Sequence, residues 1–350
     1  MQEMTANGPV TRETSRRVRL KCMKTSGAWL VALVVMLGSS HAPQGLRAQQ
    51  RPPEGAAVET IQIRSNLYVV FGAGGNVVMH LGPEGVILVD SGSAAMADQV
   101  LAAIKTVTTD PIRLIINTSA DADHVGGNET IAAAGVSINP NAFNSGTEAA
   151  AVLAHENVLN RVSASTGEQP PFPVGTWPTD TYIAKTISMY LNDEGIQVMH
   201  QPAAHSDGDS IVFFRRADVI ATGDIIDLRR FPVIDAATGG SVQGELDALN
   251  RLLDLAIPAM PLVYKEGRTY LVPGHGRIAD HAELVEYRDM VTVIRDRIKD
   301  MIDKGMTLQQ VTAANPTQGY RARYGSDTGP WTTDMFVEAI FNELRSTRRP

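Results

Sequence analysis

Four polar side chains fall within six residues at Ser119-Ala120-Asp121-Ala122-Asp123-His124, after the apolar run Leu114-Ile115-Ile116 and before Val125-Gly126-Gly127-Asn128. A turn between a strand and a helix lets such groups converge without burdening the core. Three later segments carry the same residue types: His205-Ser206-Asp207-Gly208-Asp209, Thr222-Gly223-Asp224 and Pro273-Gly274-His275-Gly276. Imidazole and carboxylate are ligands for zinc and similar divalent ions, and strand-end loops hold them on a rigid frame. The first segment alone also reads as a helix cap beside a satisfied loop histidine. It is the ordered set of all four segments that favours a metal site. The other histidines have plainer readings: His80 and His200 lie within strands as packed or surface groups, and His281 opens a helix. His155 lies on a helix beside a loop, where a substrate-side role competes with a structural one.

One alternating run that begins at 60–63 and continues through 67–71, followed by strands at 77–81 and 86–89, predicts a three-stranded opening meander with turns at Gly72–Asn76 and Gly82–Gly85. A helix over 93–106, a buried strand at 114–116 and a helix over 128–134 follow, then a helix over 149–162. Residues 163–179 are rich in Pro, Gly, Ser and Thr and form a loop or lid candidate, with Trp177 either anchoring it or lining the cleft. Strands recur at 187–191, 196–200, 210–214, 219–221 and 270–272, with a helix over 242–257 and a long amphipathic one over 282–304. Two strand-rich halves, each followed by helices, predict an α/β (α+β) chain of two sheets packed face to face with helices outside.

The first fifty residues differ from the rest. Arg16, Arg17, Arg19, Lys21 and Lys24 precede the uncharged run Ala28–Leu37, a secretory signal pattern with cleavage expected after Ala48. That run is half of the ~20 apolar residues that a spanning helix needs, so export rather than anchoring is expected, with a periplasmic or secreted product. Removing residues 1–48 leaves 24 Lys/Arg against 36 Asp/Glu, a net charge of −12, which excludes a nucleic-acid partner. The single cysteine, Cys22, precedes the apolar run, so thiolate ligands and disulfides are excluded from the mature chain.

These segments, with Val89-Asp90-Ser91-Gly92 and the Gly75-Asn76 turn, resemble the metallo-β-lactamase superfamily over about residues 58–290, most closely its glyoxalase-type hydrolase branch. The resemblance implies an αββα sandwich of two mixed sheets flanked by helices. Its domain would span 58–281 after a signal peptide (1–48) and a linker (49–57), with a C-terminal helical extension over 282–350. By the same resemblance Asp224 would bridge two metals, His205 would bind the first, and Asp123, His124 and His275 the second, with Asp90 supporting them from behind. The family's H-x-H-x-D-H pattern is broken here, with Ser119 and Asp121 standing at the two leading histidine positions. Ser119 is a poor zinc ligand, whereas Asp121 serves as a substitute ligand or as a general base. One zinc ion is therefore expected, with manganese or iron as alternatives. The implied activity is hydrolysis of a small-molecule ester, thioester, lactone or β-lactam-like amide by a metal-activated water, with Asp123 and Asp121 as catalytic carboxylates. The alternative is a non-catalytic binding protein that has lost the first metal site.

Overall fold

The computed structural model describes residues 58–138, 149–164, 170–260 and 268–347. The signal peptide and linker expected over 1–57, and part of the 163–179 loop, lie outside these residues. The first sheet has seven strands in sequence order: β1 (Glu59–Arg64), β2 (Leu67–Ala73), β3 (Gly75–Gly82), β4 (Gly85–Val89), β5 (Ile112–Ile116), β6 (Ala151–His155) and β7 (Asp180–Tyr182). It is antiparallel through β4 and parallel from β4 to β7. The second sheet runs β12 (Tyr270–His275), β11 (Val219–Asp227), β10 (Ser210–Phe214), β9 (Glu194–His200) and β8 (Thr186–Leu191). Only its β11–β12 pair is parallel.

Alternation along each strand separates the layers. In β4, Ile87 and Val89 face the second sheet and join Val198, Val212, Phe214 and Val272 in the inter-sheet core. Val86 and Leu88, one residue out of phase, pack outward against α1 (Ala97–Val107) and α3 (Asn128–Ala133). The second sheet buries Ile211, Ile220 and Leu271 under α5 (Val242–Leu255), α6 (His281–Asp303) and α9 (Thr333–Ser346). Each large apolar side chain so buried contributes about 1.5–3 kcal/mol, which is why the chain tolerates helices outside and sheets inside. The order is therefore helix, sheet, sheet, helix. The C-terminal helices complete the outer layer, since Phe336, Val337, Ile340 and Phe341 share one core with Leu246, Leu249 and Tyr287. No helix among the described residues is long and apolar enough to cross a membrane.

Two expectations need correction. The opening meander has four strands, because Ser65-Asn66 forms a turn inside what reads as one alternating run. The helix expected over 149–162 is confined to α4 (Glu156–Val162), since Ala151–His155 enters the first sheet as β6 between two parallel neighbours. A short apolar run buried on both faces has no period to distinguish strand from helix.

Candidate metal centre

The polar segments meet at one edge of the sandwich. Asp90 follows β4, the Ser119–His124 turn follows β5 through the four-residue helix α2 (Ala122–Val125), Asp224 lies in β11, and His275 ends β12. His205 arrives on the loop between β9 and β10. The two sheets thus contribute different residues to one cluster.

Asp90 is the keystone. It adopts φ 63°, a left-handed conformation that few non-glycine residues take, and is 2% exposed. Its Oδ1 accepts the Thr118 amide (2.8 Å), and its Oδ2 accepts the Thr118 hydroxyl (2.7 Å) and His124 Nδ1–H (2.7 Å). A carboxylate can only accept, so Nδ1 carries the proton and Nε2 of the neutral ring is bare. That Nε2 faces Asp224 Oδ1 at 3.2 Å. His205 repeats the arrangement: its Nδ1 donates to the Val233 carbonyl (2.9 Å), and its Nε2 faces Asp121 Oδ2 at 2.8 Å. His275 Nε2 faces Asp123 Oδ2 at 3.1 Å and Asp224 Oδ1 at 3.4 Å. Its buried Nδ1 has no hydrogen-bond partner among the described residues, so packing sets its orientation, with the His124 ring edge-on at 5.7 Å and 89°.

Three imidazole nitrogens therefore point at carboxylate oxygens. Bare nitrogen against oxygen is repulsive, so the arrangement needs a cation between each pair, either a proton or a metal. For His124 and His205 protons suffice in the metal-free chain. Burial lowers the affinity of His124 for its proton, but Asp224 and Asp90 more than reverse this and raise its pKa well above 6.5. Burial likewise opposes the charge on His205, and Asp121 and Asp224 raise it well above 6.5. Burial pushes the Asp224 carboxyl up, while His124 and His275 hold it well below the usual range. Asp123 is also held low, since its hydrogen bond to His275 and the charge of His124 outweigh its burial.

The donor set fits a divalent ion. One group consists of Asp123, His124 and His275 and another of Asp121, His205 and Asp224, with the ligand atoms of each within 4.8 Å of one another. Two ligands about 2.1 Å from a tetrahedral zinc lie roughly 3.4 Å apart, close to the 3.1–3.4 Å separations among His124, His275, Asp123 and Asp224. The carboxylate–histidine contacts of Asp90 and the Val233 carbonyl fix two of the rings in the tautomer that ligation requires. Gly274 is part of the fit, since a Cβ there would lie 2.5 Å from Asp224 Oδ1.

Each residue singled out in the sequence finds a place here. Asp121 occupies the N-cap position of α2, but its side chain makes no cap hydrogen bond and turns to His205 instead. Ser119 is buried, and its hydroxyl donates to Asp121 Oδ2 at 3.3 Å. His155 stacks on His200 at 3.5 Å, and burial pushes its pKa down to about 4. His80 is buried in β3, with burial lowering its pKa to about 4. Trp177 packs in the small core of Val125, Ala154, Val158 and Val162, with its indole N–H donating to the Phe172 carbonyl. Sequence reasoning missed Thr118, whose hydroxyl touches both Asp90 and His124 Nδ1 (3.2 Å), and the carbonyl of Val233. It also missed Asp227 and the two arginines that follow at the end of β11.

A family model described as the metallo-beta-lactamase superfamily matches residues 70–262. No curated protein matches the chain. Among solved structures, a metallo-beta-lactamase from Pontibacter korlensis aligns at 17% identity and TM-score 0.50, covering 67% of this chain and 99% of its own. The stereoselective inverting sec-alkylsulfatase Pisa1 from Pseudomonas sp. aligns at 15% identity and TM-score 0.59, covering 81% of this chain and 50% of its own. A double mutant of the same sulfatase gives the same values. The chain thus spans half the length of those sulfatase chains, and at these identities the likeness is one of fold.

Proposed function

The chain belongs to the metallo-beta-lactamase superfamily, whose members are typically metal-dependent hydrolases, and on that footing we propose that it hydrolyses a small-molecule ester, thioester, lactone or β-lactam-like amide. The observation that carries this reading is the meeting of Asp123, His124, His275 and Asp224 around one point at the sandwich edge. These four would hold the principal ion, zinc or else manganese or iron, while Asp121, His205 and Asp224 form a weaker second cradle. When bound, such an ion supplies Lewis acidity and a water whose pKa falls to about 7.

The chain's own residues do the rest. Asp90 keeps His124 in its ligating tautomer, and the Val233 carbonyl does the same for His205. The Asp123 side chain, 36% exposed, would orient a water held at the cluster. Asp121 is more open at 45%, is tethered by His205 and Ser119, and would serve as the base for a water held there. We further propose that the protein is exported, with a mature N-terminus near Gln49, which mass spectrometry of the mature protein would test.

The deciding experiment is metal analysis of protein purified without added metal, coupled to a panel of esters, thioesters, lactones, β-lactams and a secondary alkyl sulfate, before and after chelation. Expected are about one ion per chain and a hydrolysis lost on chelation and restored by zinc, manganese or iron. An ion bound with no turnover on any member would point to the binding-protein alternative instead.

A further inference from the structure

Each sheet of the sandwich ends in two outer strands, and three of these four edges are closed to further pairing. β1 shifts register between Gln62 and Arg64 and carries the charges of Glu59 and Arg64. β7 is three residues long and begins at Asp180. β12 is bridged along its free side by Ala279, which exchanges backbone hydrogen bonds with Leu271 at 2.8 and 2.9 Å. β8 lacks every such device. Thr186-Ile187-Ser188-Met189-Tyr190-Leu191 has no charge, no proline and no register shift against β9, and no strand lies along its free side among the described residues.

The turn after β8 sets which of its backbone groups face outward. Asn192 and Asp193, both at φ 57°, form the two-residue loop that a type I′ hairpin requires, closed by the pair Leu191 and Glu194. A hydrogen-bonded pair flanks such a loop, so Leu191, Met189 and Ile187 bond to β9. The Lys185 carbonyl keeps that phase by accepting the His200 amide at 3.0 Å. Thr186, Ser188 and Tyr190 therefore turn their amides and carbonyls to the open side. Gly195, opposite Tyr190, accordingly serves β10, and its carbonyl accepts the Arg215 amide at 3.1 Å. Two large apolar side chains bracket the same edge in the open, Ile183 at 76% and Tyr190 at 70% exposure.

We propose that β8 is a self-association edge, at which two copies of this chain join their second sheets into one continuous sheet by antiparallel pairing about a twofold axis at Ser188. That register uses every outward group. Thr186 of each copy faces Tyr190 of the other and the two Ser188 residues face each other, which gives about six backbone hydrogen bonds across the axis. The outer face then sets an aromatic against a β-branched side chain twice. On the inner face Ile187 of one copy meets Met189 of the other, so the inter-sheet core that both residues already border runs on across the axis. Charge favours a second copy over an unrelated strand. Lys185, just before β8, comes alongside the Asn192-Asp193 turn of the other copy, where Asp193 and Glu84 outweigh Arg216. Twofold symmetry makes the same match at both ends.

The test is sedimentation equilibrium of the full chain at concentrations from about 1 to 100 μM, with amide hydrogen exchange followed by mass spectrometry. The expected result is a concentration-dependent dimer whose peptide over 186–191 exchanges more slowly as the dimer fills. Ser188 is exposed, so its replacement leaves the core untouched. Ser188→Lys and Ser188→Glu each set like charges against one another on the axis, and each should weaken the dimer by about tenfold or more and speed exchange over 186–191. Circular dichroism with thermal melts establishes that both variants are folded. An equimolar mixture of the two should restore the dimer, because lysine then faces glutamate, a rescue that loss of folding could not show. A monomer throughout the concentration range overturns the proposal. A dimer that both substitutions leave intact also overturns it, since the contact then lies on another surface. A dimer weakened by each change but not restored in the mixture overturns the Ser188 axis and with it the proposed pairing.

Discussion

Replacing Asp90 by asparagine tests the logic of the site at a residue that touches no substrate. The swap keeps shape, and asparagine accepts a left-handed φ more readily than most residues, so the 63° backbone is retained. Oδ1 still accepts the Thr118 amide at 2.8 Å, and the new amide group can donate to the Thr118 hydroxyl. What reverses is the contact with His124: an amide N–H now points at Nδ1, which must become an acceptor. The ring proton then moves to Nε2, the nitrogen that faces Asp224 at 3.2 Å, and closes it to a metal. Loss of such an outer hydrogen bond lowers metal affinity by about 10–100-fold, or about 1.4–2.7 kcal/mol. Competition for zinc against a chromophoric chelator measures this directly, with a thermal melt of the metal-free variant to establish folding. An affinity within about threefold of the unmodified protein would refute the claim that Asp90 sets the tautomer.

Other outcomes follow from the same geometry. Ser119→His combined with Asp121→His should raise metal content from about one ion per chain toward two by restoring nitrogen donors to the His205 cradle; an unchanged count by plasma emission would refute it. Because His124 and His205 hold their protons well above pH 6.5 in the metal-free fold, ligation must displace them, so zinc affinity should climb with pH above that value. The same raised pKa values stabilise the metal-free fold below pH 6.5 and lose that contribution as pH rises through them, so its melting temperature should fall with pH while that of the loaded protein holds. Gly274→Ala places a methyl against Asp224 and should cost at least about tenfold in zinc affinity; an unchanged affinity would show that Asp224 is not a ligand. Glu245 is fully buried on α5, neither oxygen has a partner among the described residues, and burial raises its pKa well above 4.5. The folded state resists ionising it as pH climbs past 4.5, so Glu245→Leu should stabilise by about 1–3 kcal/mol, more at pH 8 than at pH 5. A lowered melting temperature at both pH values would refute that.

The segments that meet in the candidate cluster were legible because each couples a chemically marked residue to a structural punctuation. Gly126-Gly127, Gly223, and Pro273-Gly274 flank their His or Asp at the end of an apolar run, so strand end and ligand announce each other. The two-layer sandwich was legible in the same way, from runs such as Val86–Val89. Beta6 was not, because Ala151-Val152-Leu153-Ala154 is compatible with a helix until its hydrogen bonds to β5 and β7 are known. Thr118 escaped because its importance lies in side-chain contacts with His124 and with Asp90, twenty-eight residues earlier. Arg229 and Arg230 escaped because β11 runs six residues beyond the Val219–Ala221 core expected for it, which is what sets them beside His275.

The division of the cluster between two sheets bears on mechanics. Asp123 and His124 follow a strand of the first sheet, while His205, Asp224 and His275 belong to the second. The whole chain has one cysteine, so no intramolecular disulfide can tie the layers together. An ion gripped from both sides would be a cross-link, joining positions 123 and 275 that lie far apart along the chain and closing a loop of about 150 residues. Its binding energy would add to folding as RT ln(1 + [metal]/Kd), about 4 kcal/mol at a thousandfold excess over Kd. Where metal is scarce and proteases act, the lifetime of the fold would then follow the supply of the ion.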